Sequence, residues 1–472
     1  MSLKQKTISN IKWSFIESIS LKAISFVLGI VLARLLLPKD FGLLAVVNVF
    51  YLLVTLFIDG GLKEALIQKK NATDVDYSTV FWLNLIISVI IYLIFFLASP
   101  YIEEYFGYEN LGFLIRLQLL VLFFEAASIV QIVKATKELQ LKNITKARIP
   151  ASILSFFVGI TMAYLGYGIL SLIVQQLVNS FIYTLILIYN IRYKPKWIFD
   201  FGNAKSLWSF GYKMVLISLL SRFYAQGVSL IFAKYYSISN LGLYTKARSF
   251  QNTPIEIITT TYNKGIYPTL IKLQSNVRGM RIVFLGNIHR LTYIMVLVNA
   301  IVFYNSYEII FILFGKNWIG MTVFLQISAL GSLAQPTSNQ TISILKAKGK
   351  PKIVLNIELI SKAISLILIF VLISYYDLYV VFATLTGIFF FSSLIYFFIC
   401  SHELKFSARK EGLKLLGMAL IHFLLGALIN LFLNEFIENE YLKLIFFSFL
   451  FGVMVLVLSH FNKTYKLRRL FK

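Results

Sequence analysis

Charge, acid and cysteine are scarce in this chain. Of its 472 residues only 14% are charged, 21 are acidic, and Cys400 is the single cysteine. One cysteine excludes a disulfide framework and any cysteine metal cluster. So little charge in a chain that is 58% hydrophobic, with a mean hydropathy of +0.78, excludes a water-soluble fold, which has no means of hiding that much apolar surface. Signatures of chemistry are missing as well. Gly315-Lys316 is followed by Asn317 and Gly349-Lys350 by Pro351, so there is no Walker-type phosphate loop and the chain does not hydrolyse ATP by itself. His289, His402, His422 and His460 are scattered, none in HExxH spacing, and read as interfacial or packing residues and not as metal ligands. No cofactor is implied.

What the chain does have is apolar runs of about 20 residues, the length that crosses a bilayer core. In order they fall near 12–34, 41–67, 79–99, 111–133, 148–166, 168–190, 211–233, 241–263, 283–304, 319–345, 353–374, 378–400, 413–433 and 441–459. The expected fold is therefore all-α, a polytopic membrane protein with about 14 transmembrane helices. The net charge of +24 is a topology signal and not a mark of nucleic-acid binding, because of where it lies. Of 45 Lys and Arg, 34 fall in the N-terminus, alternate gaps and the tail, and only 4 (Arg34, Lys39, Lys234, Lys316) in the intervening gaps. The positive-inside rule then puts both termini in the cytoplasm, with Glu103, Glu104, Glu109, Glu435, Glu438 and Glu440 outside. The apolar stretch after Lys4, Lys6 and Lys12 runs past Leu32 without a small-residue cleavage site, so it reads as a first span and not as a removed signal peptide.

A repeat organises the spans. Residues 32–42 read LARLLLPKDFG and residues 232–242 read FAKYYSISNLG, each following a long span and each opening the next with glycine, Gly42 and Gly242; Trp-Ser-Phe recurs at Trp13 and Trp208. This order suggests six spans in residues 1–200, six in 201–400, and two more with a basic tail in 401–472. The basic, aromatic gap 191–211 reads as an interfacial helix or a plain loop. All gaps are short, so no sizeable domain lies outside the membrane.

A charge at mid-membrane costs roughly 2.5–3.5 kcal/mol on insertion scales, so each one within a span is a candidate for a partner or a watery cavity. The cationic candidates are Lys22, Arg222, Lys246, Arg248 and Lys362; the acidic ones, available for ion coupling, are Asp59, Glu125 and Glu256. Glu358 and Lys362 stand four apart, so an ion pair along one helix accounts for them equally well. Lys246 and Arg248 stand two apart, on opposing sides of a helix, and only one of them can face a central cavity. Glu17 and Arg116, close to the expected interfaces, read as snorkelling charges. Abundant aromatics such as Phe389–Phe391 read as lipid-facing.

Several motifs come in a specific order. Arg34, Pro38, Asp40, Phe41 and Gly42 form a turn; Asp59, Gly61, Ala65, Leu66, Ile67 and Gln68 follow; then come Leu241, Gly242 and Tyr244, Pro254, Pro268, Phe314-Gly315 with Trp318, and Ala347, Gly349 and Lys350. In this order the chain resembles the polysaccharide-exporter branch of the MOP flippase superfamily, the branch of O-antigen, teichuronic-acid and colanic-acid exporters. The resemblance covers most of the chain. It implies a flippase of the bacterial inner membrane that carries undecaprenyl-pyrophosphate-linked oligosaccharide by alternating access, alongside other polysaccharide-assembly proteins and membrane lipid. A large anionic head needs a hydrated cavity with fixed cations, which Lys22, Arg222 and Lys246 or Arg248 would supply. Two alternatives stand beside it: a cation-coupled drug exporter of the same superfamily, and a membrane glycosyltransferase or O-unit polymerase. The short outer gaps argue against the enzyme.

Overall fold

Hydrocarbon offers no partner to a backbone amide, so a chain this apolar must close its hydrogen bonds within each segment. Accordingly the described residues form helices and connecting turns, with no strand among them. The computed structural model describes the backbone of residues 3–59 and 61–461, and the side chains of 12–56, 58, 61–205, 208, 222–259, 266 and 268–455. Two compact units, Met1–Gly242 and Leu243–Lys472, make up the chain.

The first unit holds α1 (Leu3–Leu35), α2 (Pro38–Asp59), α3 (Leu62–Gln68), α4 (Asp74–Phe106), α5 (Leu111–Leu119), α6 (Val121–Lys137), α7 (Leu141–Tyr164), α8 (Ile169–Ile191), α9 (Phe201–Tyr235) and the start of α10 (Ile238–Lys272). The second continues α10 and adds α11 (Val277–Tyr304), α12 (Ser306–Leu313), α13 (Met321–Ser332), α14 (Gln335–Ala347), α15 (Pro351–Leu372), α16 (Leu378–Leu404), α17 (Ala408–Phe436) and α18 (Glu440–Phe461). Among the described residues, ten helical segments are long and apolar enough to cross a bilayer, which makes this an integral membrane protein. The remaining four expected spans fall on α9, α10, the α13–α14 pair and α18.

Three expected spans are broken. Gly61, with φ +65°, separates α2 from α3; a tightened turn at Leu120 separates α5 from α6; and Pro336, which has no amide hydrogen to donate, opens α14 after a tightened turn at Leu333 and Ala334. The gap after α8 also departs from the helical reading. Pro195 disfavours helix at the residue before it, and residues 192–200 run as an extended strap along the start of α4. Lys196 N donates to Ser78 Oγ (3.0 Å) and Asp200 N to Thr79 Oγ1 (3.1 Å), while Trp197 stacks on Trp82 with ring centroids 4.3 Å apart. Helix resumes only at Phe201.

Lipid tails give little hydrophobic drive to helix association, so helices pack where small residues let backbones approach. The α7 face that meets α8 shows this: Ala147, Ala151, Ser155, Gly159 and Ala163 recur every four residues, and all face inward. A Cβ on Gly159 would stand 2.9 Å from Gln175 Cγ of α8. The opposite face of α7 carries large apolar side chains such as Phe157, 61% exposed, as a lipid-facing surface requires.

The two glycine turns are in contact within the first unit. A Cβ on Gly42 would lie 1.9 Å from the Ile238 carbonyl oxygen, and a Cβ on Gly242 would lie 1.9 Å from that of Pro38. Both contacts link the α1–α2 turn to the α9–α10 turn, backbone against backbone. In the second unit, Gln251, Asn299 and Ser332 form a buried polar knot joining α10, α11 and α13. The last two helices attach through Tyr304 Oη, which donates to the Phe423 carbonyl (2.7 Å), and through a buried Lys443–Glu308 ion pair.

Candidate functional site

A cavity of about 580 Å³ opens inside the first unit, walled by α1, α2, α3, α6, α7, α8 and α9. Its volume is that of a small-ligand site. Among the described residues, three cations, Lys63, Arg148 and Arg222, and one carboxylate, Glu125, line it. The broken second span delivers Lys63: after the left-handed turn at Gly61, α3 carries it to the cavity wall. From α9, Arg222 reaches across to α2, where its Nη1 donates to the Leu52 carbonyl (3.4 Å) and to Thr55 Oγ1 (3.5 Å). Glu125 accepts a 2.5 Å hydrogen bond from Tyr51 Oη, which holds its carboxylate on the wall between α2 and α6.

Arg148 is neutralised. Its Nη1 lies 3.1 Å from Glu17 Oε1, whose other oxygen accepts from Thr145 Oγ1 at 3.0 Å, and its guanidinium also covers the Tyr183 ring. Glu17 is thus a paired residue between α1 and α7 and not a snorkelling one. Arg116 likewise stays inside, donating from Nε to Ser99 Oγ (2.6 Å) and lying 4.5 Å from the Phe96 ring centroid.

The remaining wall is neutral and polar. Gln175, Gln176 and Asn179 of α8 face the cavity, with Ser128 and Ser152 beside them. The α7–α8 packing orients them: Gln175 and Asn179 both direct their amide nitrogens onto Ser155 Oγ.

Of the residues expected from sequence, Arg222 and Glu125 line this cavity together. Lys22 is half-buried on α1, next to the lining residue Leu21 but outside the lining itself. The side chain of Asp59 lies outside the described residues. In the second unit, Lys246 is half-buried, its Nζ 5.7 Å from the Phe314 ring centroid, whereas Arg248 is exposed and donates to Tyr244 Oη (2.9 Å). The two point apart, as residues two apart on a helix must. Glu256 is exposed. Lys362 pairs with Glu358 at 3.3 Å along one helix face. Lys63 and Arg148 escape a reading of the sequence because they count among the inner-gap charges; the signal for Arg148 was Glu17, an acid in a span that needs a cation.

A bundle of membrane-crossing helices with a cationic, amide-lined cavity in one unit is the architecture of a membrane transporter. The chain belongs to the polysaccharide biosynthesis protein family, whose model matches residues 31–323. It is similar, at 25% identity over 74% of this chain and 73% of the other, to an uncharacterized membrane protein in the cps region of Klebsiella pneumoniae. It is 26% identical to the lipopolysaccharide biosynthesis protein WzxC of Escherichia coli K12, over 74% of this chain and 72% of the relative. Its fold matches that of the lipid II flippase MurJ in an inward closed conformation, with a TM-score of 0.74 at 15% identity, covering 95% of this chain and 97% of the other.

Proposed function

We propose that the protein is a flippase that moves lipid-linked oligosaccharide across the bacterial cytoplasmic membrane for surface polysaccharide synthesis, working by alternating access and catalysing no bond-making or bond-breaking. The observation that carries this reading is the cavity itself. In a chain of the polysaccharide biosynthesis family, Arg222 and Lys63 offer fixed positive charge to an anionic head while Gln175 and Asn179 offer neutral hydrogen-bonding surface to sugar. The lipid carrier is undecaprenyl pyrophosphate, whose prenyl tail stays in the bilayer while its diphosphate needs hydrated cations to cross. A relative named for lipopolysaccharide biosynthesis and a fold shared with a lipid II flippase both support it. Both termini lie on the cytoplasmic side, in keeping with the alternation of Lys and Arg along the chain. The chain is a repeat of six spans in 1–200 and six in 201–400 with a pair appended in 401–472, a reading supported by the matched turns at Gly42 and Gly242. Lys22 and one of the α10 pair, Lys246 or Arg248, are kept as further cations of the transport path, and Glu125 as the first candidate for ion coupling, with Asp59 and Glu256 behind it.

The test is deletion in the native host. Loss of the surface glycan with accumulation of its lipid-linked unit on the inner face of the membrane is the expected result. Accumulation on the outer face would point instead to a later, polymerising step and overturn the flippase reading.

A further inference from the structure

The hydrogen bonds behind the α8 wall settle which end of each amide faces the cavity. Ser155 Oγ donates its one hydrogen to the Ser152 carbonyl at 3.1 Å. It therefore has only lone pairs to offer Gln175 and Asn179, and both must approach it through their NH2 groups, Gln175 Nε2 at 3.3 Å and Asn179 Nδ2 at 3.1 Å. Asn179 Nδ2 also donates to Ser152 Oγ at 3.2 Å. The absence of a side chain at Gly159 lets the stem of Gln175 lie against α7, which holds the amide in this orientation. Two carbonyl oxygens, Gln175 Oε1 and Asn179 Oδ1, are left with no protein donor among the described residues while their residues line the cavity. Being four residues apart on one helix, they stand about 6 Å apart along its axis.

The cavity thus offers acceptor oxygens as well as cationic donors. Arg222 and Lys63 supply donors and positive charge from α9 and α3, and α8 supplies acceptors from Gln175 and Asn179. An ionised diphosphate carries acceptors only and has nothing to give Gln175 Oε1 or Asn179 Oδ1, whereas sugar hydroxyls do; Gln176, whose Oε1 accepts from Gln118 Nε2 at 3.1 Å, keeps its NH2 group as a donor on the same helix. We infer that Gln175 and Asn179 form a sugar subsite, accepting hydrogen bonds from the hydroxyl or acetamido N–H groups of the sugar nearest the lipid while its diphosphate faces Arg222 and Lys63. This rests on the flippase reading and adds to it a direction for the bound head and a part of the protein that reads the glycan.

The experiment titrates the full-length purified chain in nanodiscs with two probes, undecaprenyl pyrophosphate and undecaprenyl-pyrophosphate-linked N-acetylglucosamine. The wild-type protein is expected to bind the sugar-bearing lipid about 10-fold or more tightly than the bare one, as two added neutral hydrogen bonds imply. Gln175→Met and Asn179→Leu should each remove most of that ratio and leave bare-lipid affinity in place, whereas Arg222→Gln should weaken both probes alike. Equal wild-type affinity for the two probes overturns the sugar subsite alone, and this comparison needs no variant to fold. Equal losses for both probes in Gln175→Met and Asn179→Leu also overturn it. Binding of neither probe by the wild-type protein overturns the flippase reading and the subsite with it.

Discussion

Replacing Gly42 by alanine tests the crossing of the two hairpins. The added methyl would stand 1.9 Å from the Ile238 carbonyl oxygen, 2.8 Å from its carbonyl carbon and 3.0 Å from Cγ1 of the same residue. Two of these are backbone atoms, so no side-chain rotation relieves them. Restoring an ordinary contact requires the α9–α10 turn to move away by about 1.5 Å, against side chains packed at close to crystal density. Overpacking of this kind costs typically 1–3 kcal/mol, and an immovable carbonyl places Gly42→Ala at the upper end. Gly242→Ala meets the Pro38 carbonyl at the same 1.9 Å from the other side, so one displacement serves both substitutions. The double variant should therefore be less destabilised than the sum of the singles, by at least 1 kcal/mol of coupling. Thermal unfolding of the four proteins in one detergent, with intrinsic fluorescence as the readout and refolding checked, measures this. Wild-type stability of Gly42→Ala refutes the close crossing, and strict additivity refutes the claim that the two glycines share one contact.

Other outcomes follow from the cavity and the topology. Arg222→Gln and Lys63→Gln should leave membrane abundance near normal while complementation of surface glycan in a deletion strain falls severalfold or more; full complementation by both would remove them from the transport path. Arg148→Gln should instead lower abundance, because Glu17 loses its ion-pair partner in a largely enclosed place, and adding Glu17→Gln should restore it; the single loss stays below the roughly 3–5 kcal/mol of a fully buried pair because Arg148 is 42% exposed. Lys246→Gln and Arg248→Gln should differ clearly in complementation, since one side chain turns toward Phe314 and the other outward; equal effects contradict that geometry. Reporter fusions at Glu104 and Glu438 should read outside and those at Lys350 and Lys472 inside, and inversion of any two ends the topology.

The sequence by itself determined that this is a helical membrane protein, because the length and apolarity of a segment are local quantities and hydrocarbon leaves the backbone no other way to satisfy its hydrogen bonds. Motif order carried the family for the same reason, being written along the chain. It also determined that Lys362 had a sufficient partner in Glu358, four residues away on one helix. Helix rotation and pairing across long separations are different, because they are set by how the helices pack. Arg148 meets Glu17 from 131 positions away, so no local pattern announced that one of the cavity cations is neutralised. The spans expected over 41–67 and 319–345 read as continuous apolar runs, and that the break at Gly61 turns Lys63 into a cavity wall depends on how α3 docks. The strap at 192–200 is extended because serine and threonine hydroxyls on a distant helix accept its amides, which propensity cannot foresee. Gln175 and Asn179 passed unnoticed as uncharged residues in an apolar run. Only the α7 hydroxyls behind them, and the missing side chain at Gly159, turn their oxygens toward the cavity.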